Sequence, residues 1–209
     1  MFTYDSYEDI CVVTGITASA TKVIMPEFID GLQVRRISEG AFKNNNTLEE
    51  IYLPDCLADI SEEAFRNCAN LRLVHFYKSS KSRDFIYLCT AAFQDCRSLE
   101  QIKVDSALGF NIAYNTRIFA GCINLQTIEG FFYSDIPGHT FYNCHKLDNI
   151  TFKQSSFLYK IAFASTSLIG STSLKNMTIV GALDPCQPSN ILKKLNSITI
   201  KQLPVTNYI

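Results

Sequence analysis

No stretch of this chain approaches the roughly 18 consecutive apolar residues of a membrane-spanning helix, so membrane insertion by that route is not expected. Charge of one sign is equally lacking. Lys plus Arg number 19 against 20 Asp plus Glu, a formal net charge of −1, and no long-range field draws such a chain to nucleic acid or anionic lipid. Only nine glycines occur and none form G-x-G-x-x-G, which removes the usual phosphate cradle. The eight cysteines contain no C-x-x-C, so zinc or a redox dithiol has no framework. Histidine is scarce too: His139 and His145 are six apart, not the three to five of a typical metal pair. His75 falls on an outward strand position, and His145 neighbours a cysteine already claimed by the interior. The pairs Glu49-Glu50 and Glu62-Glu63 read as solvated charge. No catalytic residue, metal site or cofactor is expected. The first nine residues carry Asp5, Glu8 and Asp9 where an export signal would carry Lys or Arg. That leaves two options, a chain kept inside the cell or one whose signal has been removed.

What is present is a repeat. The phrase Ala-Phe-x-x-Cys-x-x-Leu-x-x-Ile recurs at Phe65, Cys68, Leu71 and Val74; at Phe93, Cys96, Leu99 and Ile102; at Phe119, Cys122, Leu125 and Ile128; and at Phe141, Cys144, Leu147 and Ile150. An earlier copy has Phe42 with Asn45 in the Cys slot, and two worn copies follow at Leu168, Ser171 and Leu174 and at Ser189, Leu192 and Leu195. The Phe-to-Phe steps are 23, 28, 26 and 22 residues, and a period of that size means a stack of small units. A second register supports it: Ile37, Ile60, Leu88, Tyr114, Ile136 and Phe163 each stand five before a Phe slot.

Each unit can be read physically. In Leu-x-x-Ile-x-Leu the last residues alternate apolar and polar, the period of a half-buried strand. Upstream, the Phe, Cys and Leu slots recur every third residue, which predicts a short helical, 3₁₀ or extended segment with one buried face. Ser38 and Ser61, each followed by acidic residues, stand where N-caps would. One such unit cannot bury its apolar face alone, so neighbouring units must cover it. The expected architecture is an α/β-type repeat solenoid of about seven repeats, a right-handed superhelix with a parallel sheet on its concave face. A single domain spans 1–209, with an N-terminal cap at 1–36, repeats at 37–188 and a degenerate C-terminal repeat serving as a cap at 189–209.

The runs Val34-x-x-Ile37-x-x-x-Ala41-Phe42, Leu48-x-x-Ile51-x-Leu53-Pro54 and Leu57-x-x-Ile60-x-x-x-Ala64-Phe65-x-x-Cys68 resemble the BspA-like leucine-rich repeat family, the LRR_5 type. The opening is similar as well, in Val23-Ile24-Met25-Pro26 and the turn Asp30-Gly31 before Leu32. The likeness covers about residues 23–200. It implies a microbial surface or secreted protein that binds host or bacterial proteins, with no enzymatic activity. The departures are the loss of Phe and Cys in the last two copies, long segments at 77–84 and 105–113, and Gly130 in place of an apolar strand residue. The stack is expected to bulge there.

Slot regularity assigns Phe42, Phe65, Phe93, Phe119 and Phe141 to the interior, with Cys68, Cys96, Cys122 and Cys144 as a column of small buried residues. Asn45 and Ser171 in the same slot suggest that small size is the requirement. Cys11, Cys56, Cys89 and Cys186 lie outside the column. Outward strand positions put Tyr52, Leu73, His75 and Tyr77 in the first two strands, followed by Lys103, Glu129 and Phe131, whereas later copies present Thr, Asn and Ser. Exposed aromatics are frequent interface anchors, so these seven residues are the candidate binding patch for a protein ligand. The alternatives are a packed corner made by Phe131, Phe132 and Tyr133, a spacer or intracellular scaffold that binds little, and a cysteine enzyme. A monomer is expected.

Overall fold

The computed structural model describes residues 1–133, 135–153, 166–174, 176–180 and 197–201. An antiparallel hairpin opens the chain, β1 (Phe2–Tyr7) and β2 (Ile10–Ile16). There follow β3 (Lys22–Ile24), β4 (Phe28–Ile29) and β5 (Leu32–Ile37). Asp30 and Gly31 turn β4 back onto β5 with φ of 49° and 82°, as a two-residue hairpin loop needs. Four coils of two strands each come next: β6 (Glu50–Pro54) with β7 (Asp59–Ile60), β8 (Leu73–Tyr77) with β9 (Phe85–Leu88), β10 (Gln101–Val104) with β11 (Gly109–Asn111), and β12 (Thr127–Ile128) with β13 (Phe131–Phe132). The series ends with β14 (Asn149–Lys153), β15 (Asn176–Val180) and β16 (Ser197–Lys201).

Two parallel ladders result. The main sheet runs β3-β6-β8-β10-β12-β14-β15-β16, and a second runs β2-β5-β7-β9-β11-β13 with β1 on its outer edge. β14 bonds to both β12 and β13, which joins them. Register is kept from coil to coil: Val23, Ile51, Val74, Ile102 and Ile128 stand side by side and face inward. The molecule is a β-solenoid of about six turns, where the periodicity counts seven copies. The stretches between β14, β15 and β16 fall largely outside the described residues. So do Phe163, Cys186 and most of the expected C-terminal cap.

The helical or 3₁₀ segments expected upstream of each Leu do not form; among the described residues the fold is all-β. The third side of each coil is a run of tight turns. Two residues before each Phe and two after it, the backbone is left-handed: Gly40 and Asn44, Glu63 and Asn67, Ala91 and Asp95, Arg117 and Gly121, His139 and Asn143. A helix cannot pass through such positions. The alternation redirects every second N–H. Phe42, Phe65, Phe93, Phe119 and Phe141 donate to Ala64, Ala92, Ile118, Thr140 and Ser167 of the following coil at 2.7 to 2.9 Å. The N–H groups between them bond locally, as Lys43 does to Gly40 at 3.0 Å. The turn side therefore zips coil to coil much as a strand would.

Inside, the five phenylalanines form a column of nearly parallel rings, with centroids 4.9, 5.1, 5.6 and 5.6 Å apart. Each is buried, and burying a side chain of this size stabilises by about 1.5 to 3 kcal/mol. Cys68, Cys96, Cys122 and Cys144 are buried beside them. Their thiols also donate: Sγ lies 3.0 to 3.1 Å from the carbonyls of Phe42, Phe65, Phe93 and Phe119 in the preceding coil. Ser171 does the same to Phe141 at 2.6 Å. The slot thus selects a small donor and not small size alone. Asn45 stands where the preceding coil has no Phe; its Oδ1 accepts from the Thr47 and Leu48 N–H groups. None of the seven described cysteines is in a disulfide.

Two other expectations are corrected. Tyr114 is not a buried register residue: it is 99% exposed, and Ile112 takes the interior place. The left-handed φ of 63° at Tyr114 turns its side chain away from the core. Gly130 is a requirement rather than a lapse, since its φ is 89° and a Cβ there would meet the Leu108 carbonyl oxygen at 2.6 Å.

The long segments at 77–84 and 105–113 converge on Asp55, a fully buried carboxylate at the end of β6. It accepts from Ser79 N at 2.8 Å, Ser79 Oγ at 2.6 Å and Ser106 Oγ at 2.8 Å. Burial pushes this carboxyl up, but these hydrogen bonds outweigh it and the net effect is a lowered pKa. The insertions are pinned where they leave the stack.

Candidate functional site

The outward face of the main sheet is built by strict alternation. In β6 and β8, Ile51, Leu53, Val74 and Phe76 point inward, which leaves Glu50, Tyr52, Leu73 and His75 outward and partly exposed. Register then aligns them into rows. One row is Lys22, Glu50, Leu73, Gln101, Thr127 and Asn149; the next is Ile24, Tyr52, His75 and Lys103. Side chains in a row stand about 4.8 Å apart, close enough to fix one another.

They do so in the N-terminal half. The Tyr52 hydroxyl donates to Glu50 at 3.2 Å and accepts from Lys22 Nζ at 3.3 Å, whose ammonium sits 4.6 Å from the Tyr52 ring centre. Across the row, Tyr52 and His75 rings lie 5.2 Å apart, and His75 Nε2 is 2.7 Å from Asp105. Arg72 reaches Glu49 at 3.5 Å and Glu50 at 3.9 Å. Exposed pairs like these contribute little stability. Their effect is to hold an aromatic and charged surface in one conformation, which lowers the ordering cost of binding. Ile24, 62% exposed, stands in the same row as Tyr52.

The seven candidate residues do not all meet here. Tyr52, Leu73, His75 and Lys103 share the face, and Glu129 lies beside Lys103, its carboxylate accepting from Val104 N at 3.1 Å. Tyr77 is on the same strand as His75, but its hydroxyl donates to the Met25 carbonyl at 2.8 Å, and burial pushes its pKa up to about 12. It braces the first coils. Phe131 is a correction: it belongs to β13 in the second sheet, opposite Gly109, because Gly130 turns the chain before it. There it packs edge-on against Tyr133 at 4.8 Å. Lys22, Ile24 and Arg72 belong to the patch and were not among the outward positions read from the sequence, whereas Asp105 falls at an outward position by the same alternation as Lys103. The alternation Lys22-Val23-Ile24 would have found the first two, had β3 been treated as a repeat strand.

Of the remaining chemistry, His139 packs on Tyr142 at 5.5 Å and His145 Nδ1 lies 2.8 Å from the Gly170 carbonyl. Burial pushes the Cys96, Cys122 and Cys144 thiols well up, and Cys89, half-buried, up to about 11. A raised thiol is a poor nucleophile near neutral pH. Among the described residues no three His, Cys, Asp or Glu side chains gather as a metal site, and no helix is long and apolar enough to cross a membrane.

Comparison with known proteins agrees with this repeat. Residues 80–183 match the family described as BspA type Leucine rich repeat region, in six copies. No curated protein matches. Among solved structures, the leucine-rich repeat protein of T. pallidum is similar in fold, with a TM-score of 0.65 at 20% identity over 97% of both chains. A leucine rich cell surface protein from Faecalibacterium prausnitzii aligns with 95% of this chain and 70% of its own at 15% identity and a TM-score of 0.45. The pneumococcal vaccine antigen PcpA aligns with 93% of this chain and 69% of its own at 17% identity and a TM-score of 0.37.

Proposed function

This chain belongs to the BspA-type leucine-rich repeat family, and from that premise we propose that it is a protein-binding module whose contact surface is the N-terminal half of the main sheet. The observation that carries the reading is the preorganised cluster of Lys22, Tyr52, His75 and Asp105, with Ile24 at the end of the Tyr52 row. Aromatic rings beside an apolar residue, rimmed by fixed charges of both signs, have the anchor-and-rim composition of an interface. The other half of the face, as far as its residues are described, presents the small polar groups Thr127, Asn149 and Asn176.

The partner we infer is another protein at a cell surface, of the host or of a neighbouring bacterium, as the family resemblance implies. Adhesion, and not catalysis, is the activity. The test is affinity capture from surface-protein extracts by the immobilised wild type and by the combined variant Ile24→Ser, Tyr52→Ala and His75→Ala, read by mass spectrometry and then by titration of each captured protein. The reading expects at least one protein held by the wild type and weakened about tenfold or more, about 1.4 kcal/mol or more, by the variant. An identical set on both would favour the spacer role.

A further inference from the structure

A second concavity lies over the other sheet. Between the β1–β2 hairpin and the strand ends of β5, β7 and β9 is a cavity of about 600 Å³, within the roughly 300 to 1,000 Å³ of ligand sites. Its bed is a polar ladder with one side chain per coil: Ser38, Ser61, Thr90 and Asn115. Successive coils are about 4.8 Å apart, comparable to the length of one sugar ring. Each rung keeps hydrogen-bonding capacity to spare. Ser61 Oγ donates to Asp59 at 2.7 Å, and Thr90 Oγ1 donates to Asn115 Oδ1 at 3.4 Å while accepting from Thr116 N at 3.4 Å, which leaves at least one lone pair on each hydroxyl for a ligand. Arg36 lines the same cavity and uses its Nε on Asp59 at 2.6 Å, with four further N–H donors available. On the hairpin wall Tyr7 is 60% exposed.

Charge narrows the ligand. Asp5, Glu39 and Glu62 line the cavity with no ion-pair partner among the described residues, against the single guanidinium of Arg36. Phosphate, sulfate and acidic sugars meet net repulsion there. A basic peptide would be drawn by the three carboxylates but would meet Arg36 in the bed. A polyhydroxylated neutral chain uses what is present: hydroxyl and amide groups that both donate and accept, carboxylates that accept, and an aromatic face for the C–H side of a ring.

We propose that this groove binds a neutral oligosaccharide laid across successive coils, with Ser61, Thr90, Asn115 and Arg36 taking its hydroxyls and Tyr7 stacking on one ring. The site is independent of the main-sheet patch. Calorimetric titration and amide chemical shifts of the full chain would be followed with neutral hexasaccharides of glucose, mannose, galactose and N-acetylglucosamine. Binding of at least one at millimolar concentration is expected, with shifts confined to these coils. Tyr7→Ala, and separately Thr90→Val with Asn115→Ala, should weaken it about tenfold or more, while Tyr52→Ala with His75→Ala leaves it unchanged. Tyr7 lies outside the core, so its variant stays informative if the double variant fails to fold. Absence of binding across the panel overturns the proposal, as does binding that Tyr7→Ala leaves intact. A Lys- and Arg-rich hexapeptide that binds in its place, and is lost on Glu39→Gln with Glu62→Gln, overturns it in favour of a basic protein segment.

Discussion

The cysteine slot shows how one side chain can serve two interactions at once. Each column thiol fills a gap beside the phenylalanine rings and donates to a carbonyl one coil back, as from Cys96 to Phe65. That carbonyl also accepts the N–H of Cys68 at 3.2 Å. Substituting Cys96 separates the two roles. Cys96→Ser keeps a donor of similar size, as Ser171 does naturally, and should cost less than about 1 kcal/mol. Cys96→Ala removes the donor and part of the volume and should cost about 1 to 3 kcal/mol. Chemical denaturation of the two variants measures the difference; equal costs would reduce the slot to its size. Burial of the slot was legible from regular spacing. The donation was not, although Asn45 and Ser171, both polar, were the hint.

At the scale of the element, the strands were legible and the segments between them were not. Period-two alternation at Ile51 and Leu53, or Val74 and Phe76, has no competing reading. Apolar residues at every third position suit a helix and a chain of tight turns alike, and periodicity cannot separate the two. A different signal could have done so: two residues after successive Phe or Leu slots stand Asn44, Asn67, Asp95, Gly121, Asn143 and Gly170. Those are the residue types that tolerate the left-handed region. The position two before each Phe is less well matched. Ala91 adopts φ 57° there, at a cost of about 1 to 2 kcal/mol. Glycine removes that cost and gives back about 0.5 to 1 kcal/mol in unfolded-chain entropy. Ala91→Gly should therefore leave stability unchanged or raise it by up to about 1 kcal/mol, read from the denaturation midpoint. In a helix the same change would destabilise, so the sign distinguishes the two geometries.

Over the whole molecule, two insertions distant in sequence are tied to one carboxylate, and no periodic reading of the chain contains that fact. Residues 77–84 and 105–113 registered only as excess length. The folded pKa of Asp55 is lowered, so its contribution is present above the ordinary carboxylate range and is lost as pH falls through the folded value. Glu27 reinforces this, its pKa lowered by the hydrogen bond from Ser80 in the same loop. Backbone amide exchange at Ser79 and Ser80 should stay slow above about pH 4 and accelerate below it while the Phe column remains protected. Asp55→Asn should show fast exchange at every pH and cost about 1.5 to 3 kcal/mol. The candidate face was partly legible for the same reason the strands were, but Phe131 was misassigned because a single glycine moves it to another side.

The hydrogen bonds on the turn side link each coil to its neighbour along the stack, as those of the two sheets do. A load applied along the stacking axis therefore pulls on every ladder lengthwise, and only the bonds at the end coil need break for that coil to leave. A tethered chain of this build gives way one winding at a time and keeps the rest intact. Such stepwise lengthening dissipates the load in small increments, each set by the ladder bonds of a single winding.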